Sequence, residues 1–391
     1  MKKQLKNQTT QKINPQITSQ KIILTIMLLL LTAFMFGCSS NESSNPTNTN
    51  LPNTNSPATQ QVVIGFIAPL TGDAAAYGQS ILKAAQLAQK EMNLQNVRMI
   101  SEDTRCEAQG AVTAVNKLLS VDNAQVILGD VCSGPSLAAA PIAQQHGVAM
   151  VSASATSPAL TKEPNFFRTI PSDSLQGAFA ANLVKEKGYN TLAIIYSNED
   201  YGKAFHDVLK AEFEKQDGKV VDSEAYERSE TDLRSYLTKV KATHPDALFV
   251  IGNSPDAMVA MLKQIKELGM TQPIFGSEAF KAQEILDGAQ GAADGLMVSS
   301  VSLGSQEFHD KYVLEYNSEP GPFAAQGYDA FKAIGTAIQS GAHTAAQIQD
   351  ALYNTVKFDG ATGSIKFDKQ GEVGGNYVVF VAKDNAFVQQ E

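Results

Sequence analysis

Five histidines, His146, His206, His244, His309 and His343, are the residues of this 391-residue chain suited to proton transfer or metal ligation near neutral pH. No two of them stand four apart on one helical pattern, and none falls in the strand-end loops picked out below. His146 precedes Gly147 at the expected end of a helix, where its charged form would favour the helix dipole. A surface or capping role fits the five better than catalysis. The chain lacks Gly-x-x-x-x-Gly-Lys-Ser/Thr for a nucleotide phosphate, Gly-x-Gly-x-x-Gly after its first strand, and the Gly-x-Ser-x-Gly elbow. Hydrolysis needs a nucleophile beside a base, and the sequence offers no such pair. Reversible binding, without cofactor or metal, is the chemistry left.

Three cysteines remain. Cys38 follows Lys2, Lys3, Lys6, Lys12, Lys21 and an apolar run of 15 residues, Ile22 to Phe36. That run is short for a transmembrane helix, which needs about 20 residues, and a basic flank before a short apolar core is a signal-peptide pattern. Met35-Phe36-Gly37-Cys38 resembles a bacterial lipobox, in which the Cys is acylated, although Met35 and Phe36 are bulkier than usual. Ser39 to Gln60 is rich in Ser, Asn, Thr and Pro, the composition of a solvated leash. Residues 1–37 are therefore read as a lipoprotein signal peptide and 38–60 as a tether holding an exported domain at a membrane through Cys38.

A chain with net charge −9, part of whose basic charge lies in residues 1–37, has no general attraction for nucleic acid. Its 43% hydrophobic and 18% charged residues suit a globular body of two domains, expected to be monomeric.

What could position a binding site is an alternation of short β-branched runs with helical patterns from Gln61 onward. Val62–Ala68 reads as a strand buried on both faces, and Gly78–Met92 carries apolar residues at helical spacing. The cycle repeats to Val151, and a second series starts after Pro171. Two such series predict an α/β protein of two doubly wound, Rossmann-like lobes. In open α/β sheets the loops beyond the carboxyl ends of the strands face the ligand. Those loops are 69–77, 103–109, 130–135, 152–158, 197–201, 252–255 and 276–280, rich in Ser, Thr, Gly and Tyr. Cys106 and Cys132 both lie in this set, so a disulfide is reasonable if their strands are neighbours; two free thiols are the alternative.

Ile67-Ala68-Pro69-Leu70-Thr71-Gly72, Gly129-Asp130-Val131-Cys132-Ser133-Gly134, Ser152 to Thr161, Phe167-Arg168-Thr169, Asp200-Tyr201-Gly202, Phe275-Gly276-Ser277-Glu278 and Gly327-Tyr328-Asp329-Ala330 together resemble branched-chain amino acid binding proteins of ABC transporters. The resemblance implies the type I periplasmic binding fold, with two lobes joined by three crossovers. Lobe 1 would comprise 61–170 plus 300–356 and lobe 2 171–299 plus 357–391, with crossings near 169–172, 298–302 and 356–362. It further implies that Ser133, Ser154, Ala155 and Thr156 hold an α-carboxylate and that Glu278 meets the α-ammonium. Tyr77, Tyr201 and Phe323 would wall the pocket. Where leucine-binding relatives carry a second-lobe Tyr, this chain has Asn253-Ser254, which favours a smaller or more polar ligand. The implied function is capture of a small amino acid by hinge closure and delivery to an ABC permease. A sensor module for a separate signalling partner, or a binder of urea, short amides or aromatic acids, is the alternative.

Overall fold

The computed structural model describes residues 61–375 and 377–390. The expected signal peptide, tether and lipidated Cys38 lie outside the described residues.

Five parallel strands build the first sheet: β1 (Val62–Ala68), β2 (Val97–Asp103), β3 (Val126–Leu128), β4 (Ala149–Ser152) and β5 (Phe166–Arg168), in the order β2-β1-β3-β4-β5. Every residue of β1 is buried, as its unbroken apolar run requires when helices cover both faces. One face packs on the helices Ala75–Glu91 and Ala324–Gln339 through Ile64, Phe66, Ile81 and Ile334. The other packs on Ala108–Ser120 and Ser133–Gln145 through Ile67, Val115, Leu118 and Ala140.

The second sheet takes β6 (Thr191–Ser197), β7 (Lys219–Tyr226), β8 (Ala247–Ile251), β9 (Ile274–Gly276) and β10 (Met297–Val301) as parallel strands. After a small hairpin, β11 (Phe358–Gly360) with β12 (Gly363–Ile365), the chain returns to add β13 (Tyr377–Lys383) and β14 (Ala386–Gln389) antiparallel at the β10 edge. The order is β14-β13-β10-β9-β8-β6-β7. These are the two doubly wound α/β lobes expected from the alternation of strands and helices.

The chain passes between sheets after Arg168, after Val301 and a third time late in the sequence. An expected third crossing at 356–362 is displaced: Val356, Ala361, Ile365, Phe367 and Val373 are buried in the first lobe's core, so the chain leaves that lobe only between Val373 and Tyr377. The segments 364–368 and 377–382, which look hairpin-like in sequence, do not pair with each other. Ser364 pairs with Asp359, whereas β13 pairs with β10 and β14. Among the described residues no helix is long and apolar enough to cross a membrane.

Candidate ligand-binding site

Strand order reverses around β1 in the first sheet (β2-β1-β3) and around β6 in the second (β8-β6-β7). Loops leaving such switch points diverge to opposite faces and open a crevice at the carboxyl ends of the strands. The two crevices face each other, and Tyr77, Val131, Cys132, Ser133 and Ser154 of the first lobe line a small cavity of about 30 Å³ with Tyr201, Asn253, Glu278 and Ala279 of the second and with Phe323.

The first-lobe wall depends on backbone that only particular residues can form. Gly129 has φ +128°, and a β-carbon there would fall 2.0 Å from the Ile67 carbonyl oxygen. The chain can thus turn at once into Asp130, whose carboxylate accepts from the Cys132 N–H at 2.8 Å and the Thr104 hydroxyl at 2.5 Å. Burial pushes the Asp130 carboxyl up to about 7. Cys106 and Cys132 form the disulfide, Cα atoms 5.6 Å apart, tying the β2 loop to the β3 loop immediately before Ser133. Ser133 opens the helix Ser133–Gln145, and its Oγ accepts from the Ser157 N–H at 3.2 Å. The Ser154 hydroxyl donates to the Val131 carbonyl at 2.9 Å. Fully buried Arg168 fixes the loop from behind: its Nη1 donates to the carbonyls of Ala155 and Ser157, at 3.2 and 3.0 Å, while its Nε donates to Glu372 at 2.7 Å.

Not every residue expected at the ligand reaches it. Tyr77, Ser133, Ser154, Tyr201, Glu278 and Phe323 line the cavity; Ala155 and Thr156 do not. The Ala155 N–H is committed to Ser152 Oγ at 3.0 Å and its carbonyl to Arg168, and the Thr156 carbonyl accepts from the Asp173 N–H at 2.9 Å. The Thr156 hydroxyl is buried beside the Asp173 carboxyl.

On the second lobe, Glu278 starts a short 3-10 turn after β9 and is 5% exposed. Gln176 Nε2 donates to its Oε2 at 2.8 Å and to the Ser299 carbonyl at 2.9 Å. Burial raises the Glu278 carboxyl to about 7, with the 278 backbone N–H, the Tyr201 hydroxyl and Gln176 pulling the other way. Asp173 is fully buried with both carboxylate oxygens unpartnered, and burial, then the charge of Glu278, hold it well above its ordinary range. The Tyr201 hydroxyl is buried beside Glu278 and Ser277. Among the described residues no lysine or arginine lines this cavity, so Glu278 faces it with no cation among its lining side chains.

Two further groups close it. The Tyr77 and Phe323 rings meet edge to face, centroids 5.8 Å apart, and the Tyr77 hydroxyl donates to the Ala279 carbonyl of the other lobe at 3.4 Å. Phe323 holds φ +59°, a left-handed conformation costly for a bulky residue and found where surroundings over-determine it. Asp73 of the first lobe pairs with Arg228 of the second at 3.2 Å and accepts from Ser229 at 3.0 Å.

Asp73, Asp173, Gln176 and Arg228 escape sequence reading. The helix Asp173–Glu186 buries Gly177, Ala180 and Ala181, side chains too small to mark an apolar stripe, so its polar start carries no label. The one available signal is Asp173 and Gln176 three apart, immediately after the first crossing.

A family model described as periplasmic binding protein matches residues 61–386. A leucine-, isoleucine-, valine-, threonine- and alanine-binding protein of Pseudomonas aeruginosa is 26% identical over 331 residues, 81% of this chain and 88% of that protein. A leucine-binding protein of Thermotoga maritima superposes with a TM-score of 0.79 at 26% identity, covering 84% of this chain and 98% of that one. A branched-chain amino acid transporter substrate-binding protein of Streptococcus pneumoniae, solved with isoleucine, gives 0.77 at 28% identity, covering 85% and 100%. With two doubly wound lobes, three crossings and a cavity between facing strand ends, the chain belongs to the periplasmic binding protein family, as a solute-binding protein of the type I fold.

Proposed function

We propose that this protein captures a small neutral amino acid between its lobes and delivers it to an ABC permease. The observation that carries the reading is the buried Glu278 carboxylate, facing a cavity without basic residues, with Ser133 and the start of the helix Ser133–Gln145 in the opposite lobe. An ammonium brought into that space supplies the missing cation, since a buried charge needs a partner. A carboxylate near Ser133 meets a hydroxyl and the positive end of a helix. A zwitterion fits both walls at once. Urea and simple amides carry neither charge and aromatic acids lack the ammonium, so each leaves Glu278 unpaired. The relatives named for leucine, isoleucine, valine, threonine and alanine support the same ligand class.

Closure is the mechanism in this reading. Ligand docks on the first lobe, and swinging the second lobe in brings Glu278 and Tyr201 onto it while Asp73 and Arg228 meet at the rim. The closed form is what a permease would recognise, and acyl chains on Cys38 would keep the protein beside it. A thermal-shift screen of the twenty amino acids with urea, acetamide and benzoate tests the ligand class. A ligand at a hundredfold excess over its Kd adds about 2.7 kcal/mol of stability, readily seen as a raised melting temperature. Shifts with urea or benzoate but none with any amino acid would overturn the proposal.

A further inference from the structure

Asn253 stands in the loop after β8 and lines the cavity beside Tyr201 and Glu278. Arg228 Nε lies 2.9 Å from Asn253 Oδ1, and the same guanidinium reaches across the lobes to Asp73. A guanidinium has five N–H donors and no acceptor. Only the carbonyl end of the Asn253 amide can face it, so the amide nitrogen is turned away from Arg228. No hydrogen bond joins that nitrogen to another described residue. Of the other lining side chains, Tyr77 and Phe323 present rings, Val131 is aliphatic and Cys132 is oxidised, while the oxygens of Ser133, Ser154 and Glu278 are those assigned above to the ligand's charged groups. The Asp73–Arg228 pair bridges the lobes, so closing them holds the guanidinium, and with it the amide, in this orientation.

We propose that the amino acid taken by this site carries a hydrogen-bond acceptor on its side chain, a hydroxyl or an amide carbonyl, which the Asn253 amide N–H group meets when the lobes close. This rests on the amino-acid reading above. A purely aliphatic side chain would strip water from an N–H donor and return nothing, whereas an acceptor restores the bond. Such an unpaired donor lowers affinity by about tenfold or more.

Two near-isosteric ligand pairs isolate the effect: threonine against valine, and asparagine against leucine, each titrated calorimetrically into the protein. The expected result is tighter binding of the acceptor-bearing member by about tenfold or more in at least one pair. Asn253→Asp keeps an acceptor for Arg228 and the side-chain shape but removes the N–H group, and should erase that preference. Asn253→Leu should reverse it towards valine or leucine. Melting temperatures of the ligand-free variants check that both fold. Wild-type protein binding valine and leucine at least as tightly as their partners overturns the proposal and leaves the amino-acid reading standing. The same holds if the preference survives in both variants. No binding by any α-amino acid removes that reading, and the proposal with it.

Discussion

Glu278 shows how one residue's surroundings set its chemistry. Its carboxyl is buried, accepts neutral hydrogen bonds, that of Gln176 among them, and lies near a second buried carboxyl, Asp173. With the empty-site value at about 7, Glu278 is protonated in mildly acidic solution and must lose that proton to pair with an ammonium. The bound pKa is therefore lower than the free one, and binding releases a proton at pH values between them. Affinity should rise with pH up to about 7 and level off above it, changing by up to about tenfold per pH unit if one proton is released. Calorimetry at pH 6 in two buffers of different ionisation enthalpy reads that proton directly. Glu278→Gln should remove the proton release and weaken binding by the worth of a charged hydrogen bond, about 1.5–3 kcal/mol. Unchanged affinity in that variant would show that the ammonium sits elsewhere.

At the scale of elements, the site depends on loops whose ends are anchored far from the ligand. Arg168, on the last strand of the first sheet, holds the Ala155 and Ser157 carbonyls on one side and Glu372, just before the last crossing, on the other. Arg168→Met leaves those carbonyls and Glu372 without their donor. We expect a loss of about 3–5 kcal/mol, read as a lower urea midpoint, because removing one partner of a buried ion pair strands the other. Closure is set by contacts between elements of different lobes. Asp73→Asn removes half of a partly exposed ion pair that forms only when the lobes meet, so ligand affinity should fall by a few-fold, with little change in ligand-free melting temperature. Dissociation rates measured by stopped flow should rise to match. Elements with a strong local pattern were legible from sequence: β1 as an unbroken apolar run, and the strand-end loops that supply Tyr77, Ser133, Ser154, Tyr201 and Glu278. Elements defined by their neighbours were not. The edge strand β7 pairs on one side only and breaks its apolar pattern with Asp222, Ser223 and Glu224, and 357–373 resembles a sheet-forming tail until its apolar residues find the first lobe's core. Ala155 and Thr156 do not line the cavity beside Ser133 and Ser154, because spacing along a loop does not say which of its groups turn inward.

Among the described residues burial raises six carboxyls and six others are held low, and only the raised set titrates above the ordinary carboxylate range, so that set decides how stability responds to pH there. Asp130 and Glu278 are raised to about 7, and Asp173, Glu199, Glu284 and Asp329 are raised as well, in each case first by burial. A carboxyl with a higher pKa folded than unfolded binds its proton more tightly in the native state. Between the unfolded value, near 4, and the folded one, the native chain holds more protons, so stability falls as pH rises through that window and flattens above about 7. Asp73, Asp103, Asp246, Asp287, Glu307 and Asp310, held low by hydrogen bonds or a neighbouring cation, work oppositely, but their contribution is lost only as pH falls below the ordinary carboxylate range. His206, kept neutral by burial, adds stability as pH rises through its unfolded value of about 6.5 and offsets one of the six carboxyls. The ligand-free protein should therefore melt at a higher temperature at pH 5 than at pH 7.5, although its net charge of −9 alone would give only a shallow trend. A saturating amino acid should narrow the difference, because an ammonium beside Glu278 cancels the largest single reason for that carboxyl to stay protonated. Scanning calorimetry at the two pH values, with and without ligand, measures both effects in one experiment. A ligand-free melting temperature that climbs from pH 5 to 7.5 would mean that the buried carboxyls are solvated in solution, and that the lobes stand open around them.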